Sequence, residues 1–485
     1  MIRNGQQHVG FWIKMLIFTF IFIFSSAQAE PGDDHYNPIA QGLRYLTKNI
    51  KPGIHFGIIV QSMNTGRIYY SKNAHQFFLP ASVQKIFTVT TALVNLGPTY
   101  HFPTRLLTDG SIHNGVLHGD LIFQFNGDPS LTQNNLSEFT KKLQSMGVRR
   151  IIGNVIIDDF AFAHIPYPPG WQWKDLSYDF AAPLNTVIIN RNQFGLSFMP
   201  APRAGERGIL IPQLPPNTAN FINQTVTTNY SRGSCPMSIF SNERNQYLIR
   251  GCIPRRMGKQ SRSLAIRDIQ LFTKGLIREL LAKHGISYRG VIYIAKTPAG
   301  ATVLDEHDST SLSHLIIHLL KKSDNLYADA LLKKSGERFT RQPGSWENGL
   351  LAVRSTISQD AGINLNSVHL VDGSGLSQYD QITPASLSQL LNYIDHQPML
   401  RNSLIPALPI AGVDGTLIWR MPTLARNHLV HAKTGSMTGV SSLAGFVKTR
   451  THGILSFVIM INNIPQYRAP YILLENHICE FLARS

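Results

Sequence analysis

The sequence contains, at residues 80–95, the stretch Pro80-Ala-Ser-Val-Gln-Lys-Ile-Phe-Thr-Val-Thr-Thr-Ala-Leu-Val-Asn95. This pattern predicts a helix that ends at Gly97-Pro98, a strong stop signal. Ser82 and Lys85 stand three positions apart near its start, so their side chains share one face of the helix. A serine hydroxyl becomes a nucleophile when a base removes its proton, and a lysine with a lowered pKa can be that base. Because Ser-x-x-Lys is common by chance, an exposed helix start is the competing interpretation.

A second motif, Ser323-Asp324-Asn325, stands at the start of a helical pattern over residues 324–335. The hydroxyl of Ser323 could relay a proton toward a leaving amine. The amide of Asn325 could hold Lys85 and a substrate carbonyl. The competing interpretation is a helix cap, because Ser and Asp are favoured there. The two interpretations are compatible.

A third motif, Lys433-Thr434-Gly435-Ser436, precedes an apolar strand pattern at residues 442–447. If this motif lies on an edge strand, a bound peptide could add to the sheet as a further strand. Gly435 would then allow close backbone approach, and Lys433 and Thr434 would offer a cation and a hydroxyl to a substrate carboxylate. The competing interpretation is a surface turn.

The rest of the chain predicts an α/β domain built from both chain ends, with a large strand-rich insertion between them. Short strands with Pro and Gly punctuation dominate residues 98–296. The other predicted elements are strands at 56–60, 67–70, 442–447 and 454–461, strands at 121–125, 155–157 and 187–189 within the insertion, and helices at 309–321, 324–335, 346–361, 384–395 and 471–482.

The order Ser-x-x-Lys, Ser-Asp-Asn, Lys-Thr-Gly matches the motif set of penicillin-binding proteins and class A β-lactamases. The long gap between Ser82 and Ser323 resembles the penicillin-binding protein 4 type D-alanyl-D-alanine carboxypeptidases/endopeptidases, serine peptidase family 13. The stretches Phe123-Gln-Phe-Asn-Gly-Asp-Pro-Ser-Leu-Thr132, Gly170-Trp-Gln-Trp-Lys-Asp175 and Val371-Asp-Gly-Ser-Gly-Leu-Ser377 are similar to that family too. The resemblance implies a penicillin-recognising transpeptidase/β-lactamase-like fold. We expect a signal peptide at 1–29, a catalytic domain at 30–97 and 297–485, and an insertion of two subdomains at 98–296.

The resemblance also implies roles for individual residues. Ser82 would be the acylated nucleophile and Lys85 its general base, with Ser323, Asn325 and Lys433 as the proton-relay and hydrogen-bonding group. The backbone N–H groups of Ser82 and Ser436 would form the oxyanion hole, worth about 2.7–4 kcal/mol per donor in the transition state. Asp175 would lie near the side-chain amine of the substrate, although an ordinary turn carboxylate explains it equally well.

Other chemistries have weaker support. The Glu-x-x-Leu-Asn string with which class A enzymes deacylate is absent between residues 325 and 400, so we expect slow release of β-lactam adducts. His314 and His318 could form half a metal site, but no acidic residue stands between them and a packed helix explains them better. No metal or organic cofactor is required.

Composition and the amino terminus indicate an exported globular protein. Of 485 residues, 43% are hydrophobic and 15% charged, which excludes a disordered chain. Arg3 and Lys14, an apolar run at 15–24 and Ala27-Gln-Ala29 predict a cleaved signal peptide, and hence a periplasmic location. The formal net charge of +16 suits anionic wall polymers and leaves room for peripheral membrane contact, whereas nucleic acid is not an expected partner.

Three cysteines are too few for a disulfide-stapled miniprotein. Cys235 and Cys252 could close a loop worth about 3 kcal/mol on the chain-entropy model. Cys479, in an apolar terminal segment, is expected to be a buried thiol.

We therefore expect a periplasmic serine D-Ala-D-Ala carboxypeptidase that acts on peptidoglycan stem peptides through a Ser82 acyl-enzyme. It could also cut the D-alanyl–diaminopimelyl crosslink as a D,D-endopeptidase, and β-lactams would inhibit it covalently. The alternatives are a β-lactamase or esterase on the same fold, and a non-catalytic wall-binding scaffold. The oligomeric state is left open by the sequence.

Overall fold

Strands from the two ends of the chain lie side by side in one sheet, in a computed structural model that describes residues 37–229, 235–465 and 467–485. The predicted signal peptide at 1–29 lies outside the described residues. In chain order the helices are α1 Pro38–Thr47, α2 Lys85–Leu96, α3 Gln133–Ser145, α4 Ile269–Lys283, α5 Leu312–Lys322, α6 Asn325–Thr340, α7 Trp346–Ser355, α8 Pro384–His396, α9 Pro398–Leu404 and α10 Ala469–Arg484.

The strands before residue 200 are β1 His55–Ser62, β2 Ile68–Lys72, β3 Pro103–Thr108, β4 Ser111–His113, β5 Val116–His118, β6 Leu121–Gln124, β7 Arg150–Ile151, β8 Val155–Asp158 and β9 Gln193–Met199. Those after it are β10 Ile209–Pro212, β11 Asn220–Thr228, β12 Ser238–Ser241, β13 Gln246–Pro254, β14 Gln260–Ala265, β15 Ser287–Tyr288, β16 Ile292–Ile294, β17 Thr302–Asp308, β18 Val368–His369, β19 Gln381–Ile382, β20 Val430–Met437, β21 Val440–Lys448 and β22 Ile454–Asn462.

The main sheet has the order β2-β1-β22-β21-β20, with antiparallel neighbours throughout. Its inner strands are apolar on both faces because helices cover both. Phe446 and Met460 face the core that contains α2, α5 and α8, whereas Leu443 and Phe457 face the core beneath α1 and α10. Burying each such side chain stabilises the fold by about 1.5–3 kcal/mol. The predicted α/β domain built from both chain ends is confirmed.

The intervening segment builds further sheets around a core of its own. A five-stranded sheet has the order β16-β8-β6-β3-β17, and α3 and α4 supply apolar side chains to the same core. Two three-stranded sheets, β10-β9-β14 and β11-β13-β12, make up much of the remainder. Because β17 at Thr302–Asp308 pairs with β3, the insertion sheet continues beyond the predicted boundary at 296/297. The domain boundaries themselves stay a proposal.

One local prediction was wrong, and two insertion helices were not foreseen. Residues 187–189 are buried but form no strand, because their apolar side chains pack into the core without a neighbouring strand to pair with. Periodicity alone does not separate such a run from a strand. The unforeseen α3 begins with a capping box between Thr132 and Asn135, a signal that the sequence did contain. The other unforeseen helix is α4.

The structure joins Cys235 and Cys252 in a disulfide, with 5.4 Å between their Cα atoms. This bridge connects the segment before β12 to β13. Cys479 is buried in α10, and burial raises the pKa of its thiol. The expectation of a buried thiol is therefore confirmed, and the raised pKa disfavours the reactive thiolate.

Candidate active site

Ser82 lies in a single 3₁₀ turn, Ala81–Gln84, which leads directly into α2. Ala81, immediately before it, has a positive φ of 48°, uncommon for a residue with a side chain. The turn packs against β20, where a Cβ added to Gly435 would stand 2.6 Å from the Pro80 carbonyl oxygen. The absence of a side chain at Gly435 therefore allows the strand with the third motif to pack closely against the turn with the first.

The Lys85 amine points back at Ser82 from the first residue of α2. Its Nζ donates to Ser82 Oγ at 2.8 Å, to Asn325 Oδ1 at 2.6 Å and to the Ser374 carbonyl at 2.7 Å. Burial lowers the pKa of Lys85 to about 8, against the opposing charges of Asp329 and Asp372. A lysine with this pKa carries a substantial neutral fraction near neutral pH, as a general base requires.

The second motif occupies the junction of α5 and α6. Ser323 ends α5 in the left-handed conformation, with φ of 59°, and Asp324 caps α6 by accepting from the Tyr327 backbone N–H. The predicted helix cap is therefore confirmed. Burial by itself would raise the pKa of Asp324, but hydrogen bonds from His318 and Arg191 hold it below its ordinary value.

The ring of His318, which sequence analysis considered as half of a metal site, is hydrogen-bonded to Asp324 instead. Among the described residues no group of three or more potential ligands could hold a metal ion.

Lys433 is fully buried on β20. Its Nζ donates to Ser323 Oγ and to the Thr434 carbonyl, both at 2.8 Å. Burial lowers its pKa well below the ordinary lysine value, and the positive charge of Lys85 lowers it further. An incoming carboxylate would raise it again, because an opposite charge favours the protonated form.

The strand that carries Lys433 is an edge strand, the condition under which a bound peptide could extend the sheet. The Ala411 N–H donates to Val430 and the Ala432 N–H donates to Pro409, so the first part of the edge is covered. Within the described residues no strand pairs with the outer edge of residues 433–437. Ser436 in this open part is exposed and therefore accessible to a bound peptide.

Sequence analysis assigned no role to Asp372, yet this carboxylate organises the loop behind Lys85. Its Oδ1 accepts from the N–H groups of Ser374 and Gly375, and its Oδ2 accepts from those of Leu376 and Ser377. Gln84 Nε2 donates to the Asp372 carbonyl at 2.6 Å. Asp372 therefore orients the Ser374 carbonyl that holds the Lys85 amine. The signal in the sequence was the Val371-Asp-Gly-Ser-Gly stretch.

A loop from the insertion forms the remaining side of the site. The Trp171 indole N–H donates to Asp372 Oδ2 at 2.8 Å, and Asn325 Nδ2 donates to the Phe180 carbonyl at 2.7 Å. Between these anchors Trp173 is 69% exposed and the Asp175 carboxyl is partly exposed. Burial raises the pKa of Asp175, and Lys174 opposes the shift. Asp175 thus stands on a segment that is tied to Asp372 at one end and to Asn325 at the other.

The assembled site places a serine hydroxyl against a buried lysine amine, with a second serine–lysine pair and an open strand edge beside them. This defines an acyl-transfer enzyme that works through an active-site serine. A model of the D-Ala-D-Ala carboxypeptidase 3 (S13) family matches residues 43–476, so the chain belongs to that family. It is a serine-type hydrolase of the D-Ala-D-Ala carboxypeptidase class, as the sequence motifs predicted.

Individual relatives agree with this assignment. The D-alanyl-D-alanine carboxypeptidase DacB of Haemophilus influenzae is 32% identical over 450 residues, covering 89% of this chain and 92% of the relative. The crystal structure of penicillin binding protein 4 from that species matches with a TM-score of 0.84 at 31% identity, over 91% and 99% of the two chains. A predatory peptidoglycan endopeptidase of Bdellovibrio bacteriovorus, at 15% identity and TM-score 0.52 over 89% and 93%, shares the fold.

Proposed function

We propose that this chain hydrolyses the terminal D-Ala-D-Ala bond of peptidoglycan stem peptides through a Ser82 acyl-enzyme. The observation that carries the proposal is the 2.8 Å contact between Lys85 Nζ and Ser82 Oγ, at a fully buried lysine. The names of the relatives, D-alanyl-D-alanine carboxypeptidase and penicillin binding protein 4, support the substrate class.

In the proposed acylation step the neutral amine of Lys85 takes the proton of Ser82, and Ser82 Oγ attacks the carbonyl carbon of the penultimate D-Ala. The backbone N–H groups of Ser82 and Ser436 hold the resulting oxyanion. Ser323 then passes a proton to the leaving amine of the terminal D-Ala as the C–N bond breaks, and the proton that Lys85 took from Ser82 replaces it, so that Ser323 is again a hydroxyl and Lys85 again neutral. The contact of Ser323 with Lys433 Nζ supports this relay. Water subsequently hydrolyses the ester and restores Ser82.

Substrate binding in this proposal uses the open edge of β20. The peptide adds beside residues 434–436, and its terminal carboxylate faces Lys433 and Thr434. Thr434 Oγ1 is already oriented by a 2.7 Å hydrogen bond with Thr416. Asp175, on the opposite loop, binds the side-chain amine of the stem peptide.

The same acyl-enzyme chemistry extends the proposal to crosslinked peptides and to β-lactams. An endopeptidase reaction needs only a D-alanyl donor whose leaving amine belongs to another stem. A β-lactam complex is known for the Haemophilus influenzae relative, 29% identical to this chain. We propose a periplasmic location from the predicted signal peptide. None of the helices within residues 37–229, 235–465 and 467–485 combines the length and the hydrophobicity of a transmembrane span.

Product analysis of muropeptides tests the proposal most directly. The mature protein is incubated with purified pentapeptide monomers and crosslinked dimers, and the products are separated by mass. Loss of terminal D-alanine from the monomer is expected. A protein that is folded and labelled by fluorescent penicillin, but turns over a chromogenic cephalosporin rapidly and leaves muropeptides intact, would be a β-lactamase instead.

A further inference from the structure

A second concave region lies at the carboxyl-terminal end of α6, away from Ser82. It consists of two adjoining cavities of about 430 and 370 Å³, which share Asn126, Phe160 and Ala161 in their linings. We call the two together the α6 groove. The insertion supplies one wall and α6 with the segment after it supplies the other.

Lys334 forms part of the wall where these two parts of the chain meet. It is almost entirely buried, at 3% exposure, and burial lowers the pKa of its amine. Its Nζ donates to Asn126 Oδ1 at 2.5 Å and makes an ion pair with Glu337. The groove is therefore held in shape by a satisfied polar contact, and the negative charge of Glu337 is balanced within the wall.

Three further cations line the groove without such compensation. Arg338 and Arg341 are exposed on one side, and Lys296 is exposed on the other. Within residues 37–229, 235–465 and 467–485, no carboxylate lies within 4.0 Å of any of these three charged groups. The Lys296 amine stands 5.5 Å from the centre of the Phe160 ring, which keeps it over the groove.

The remaining carboxylate of the lining is already occupied. Asp158 Oδ2 accepts from the Thr297 N–H at 2.9 Å, from Thr297 Oγ1 at 2.6 Å and from Gln124 Nε2 at 3.3 Å. Its exposure is 8%. The described lining therefore presents an excess of accessible positive charge, together with amide and aromatic groups that suit a peptide backbone.

We infer that the α6 groove binds a carboxylate-bearing stem peptide of the same peptidoglycan, apart from the peptide being cut; this inference rests on the proposed function. Asn325 at the active site and Arg338 in the groove are separated by about 20 Å of helix. An extended peptide spans about 3.3–3.6 Å per residue, so a short substrate fills the active site without reaching the groove. The groove thereby favours polymeric wall over free peptide.

The test compares two triple variants of the full mature protein. Lys296→Gln/Arg338→Gln/Arg341→Gln removes the groove cations, and Arg149→Gln/Lys283→Gln/Arg289→Gln removes the same number of exposed cations elsewhere on the insertion. Co-sedimentation with purified sacculi measures binding, and a soluble D-Ala-D-Ala tripeptide measures the active site alone. We expect about tenfold weaker sacculus binding for the groove variant only, with unchanged tripeptide kcat/KM in both.

Two further binding experiments distinguish stem peptides from other possible ligands of the groove. Amidase-treated glycan, from which the stem peptides have been removed, should lose the groove-dependent binding. Equal binding by the groove variant and wild type would overturn the inference, as would groove-dependent binding to bare glycan or to anionic phospholipid vesicles in place of stem peptides. If wild type fails to react with penicillin or to cut the tripeptide, the proposed function fails, an outcome independent of the groove result.

Discussion

The two walls of the catalytic cleft are built in opposite ways. The wall from the two chain ends holds Lys85 and Lys433 fully buried, and each amine has hydrogen-bond partners at 2.6–2.8 Å. The wall from the insertion presents an exposed Trp173 and a partly exposed Asp175 on a loop. In the proposed function this contrast separates the bond-breaking groups, which must be held in place and away from water, from the groups that select the substrate, which must be accessible from solvent.

Within the buried wall the two lysines also differ. Carboxylates around Lys85 oppose the effect of burial, which leaves its pKa at about 8. Lys433 has no such support, and its pKa falls well below the ordinary value. The two amines therefore respond differently to their surroundings: nearby carboxylates favour the protonated form of Lys85, whereas a bound substrate carboxylate would be needed to favour that of Lys433.

Replacing Ser82 by Ala should have the largest effect, because it removes the nucleophile from the buried wall. We expect loss of penicillin labelling and a fall in carboxypeptidase kcat of at least about 10⁴-fold. Steady-state assays of D-alanine release measure kcat, and mass spectrometry of the penicillin-treated protein measures labelling. A Ser82→Ala protein that still formed a covalent penicillin adduct would show that another residue is the nucleophile.

Asp372→Asn should come next, with about 10²-fold slower acylation, because the Ser374 carbonyl loses the carboxylate that orients it on Lys85. Removing a negative charge near Lys85 also lowers its pKa, so the midpoint of the pH profile should move to lower pH. A purely structural role would lower the rate without moving that midpoint. Asp268→Asn, which changes the cap of α4 instead, is the matched control.

The wild-type pH profile tests the buried wall without any mutation. Acylation needs neutral Lys85, so its rate should rise about tenfold per pH unit below about 8 and level off above it. The second-order rate of penicillin acylation gives the profile directly. A flat profile between pH 6 and 9 would mean that Lys85 is not the base whose ionisation limits the reaction.

Asp175→Asn probes the exposed wall and should change specificity more than chemistry. For a stem peptide with a side-chain amine we expect KM to rise about tenfold while kcat stays nearly constant. Acylation by benzylpenicillin, which lacks that amine, should be unchanged. If the variant lost equal activity toward both compounds, Asp175 would stabilise the loop and not bind the substrate amine.

Trp171→Phe should have the smallest effect on rate, because it removes only one of the two hydrogen bonds that link the walls. Loss of the indole hydrogen bond to Asp372 should lower the free energy of unfolding by about 1.5–3 kcal/mol. The remaining backbone donors keep Asp372 satisfied, so acylation should slow by less than about tenfold. Urea unfolding and penicillin acylation on the same preparation measure the two effects separately.

Many of the secondary-structure elements could be predicted from the sequence alone. The helix from residue 85, the strands at 440–448 and 454–462 and the cap at Asp324 follow local patterns that the sequence contains in full. The buried run at 187–189 was misassigned because nothing local tells whether a strand will find a partner. Asp372 stood in a stretch that resembles the family, but its role was not predicted, because a carboxylate that orients backbone groups looks, in sequence, like any loop acid.

The sequence by itself therefore determined the class of chemistry: hydroxyl and amine one helical turn apart, with two further motifs in the expected order. Only the tertiary structure decided that Lys85 meets Asn325, that Lys433 meets Ser323 and that Gly435 lies against Pro80. These contacts join residues far apart in the chain. Their distances, and the burial that lowers the pKa of Lys85, depend on how the helices and the sheet pack, and local spacing contains no record of that packing.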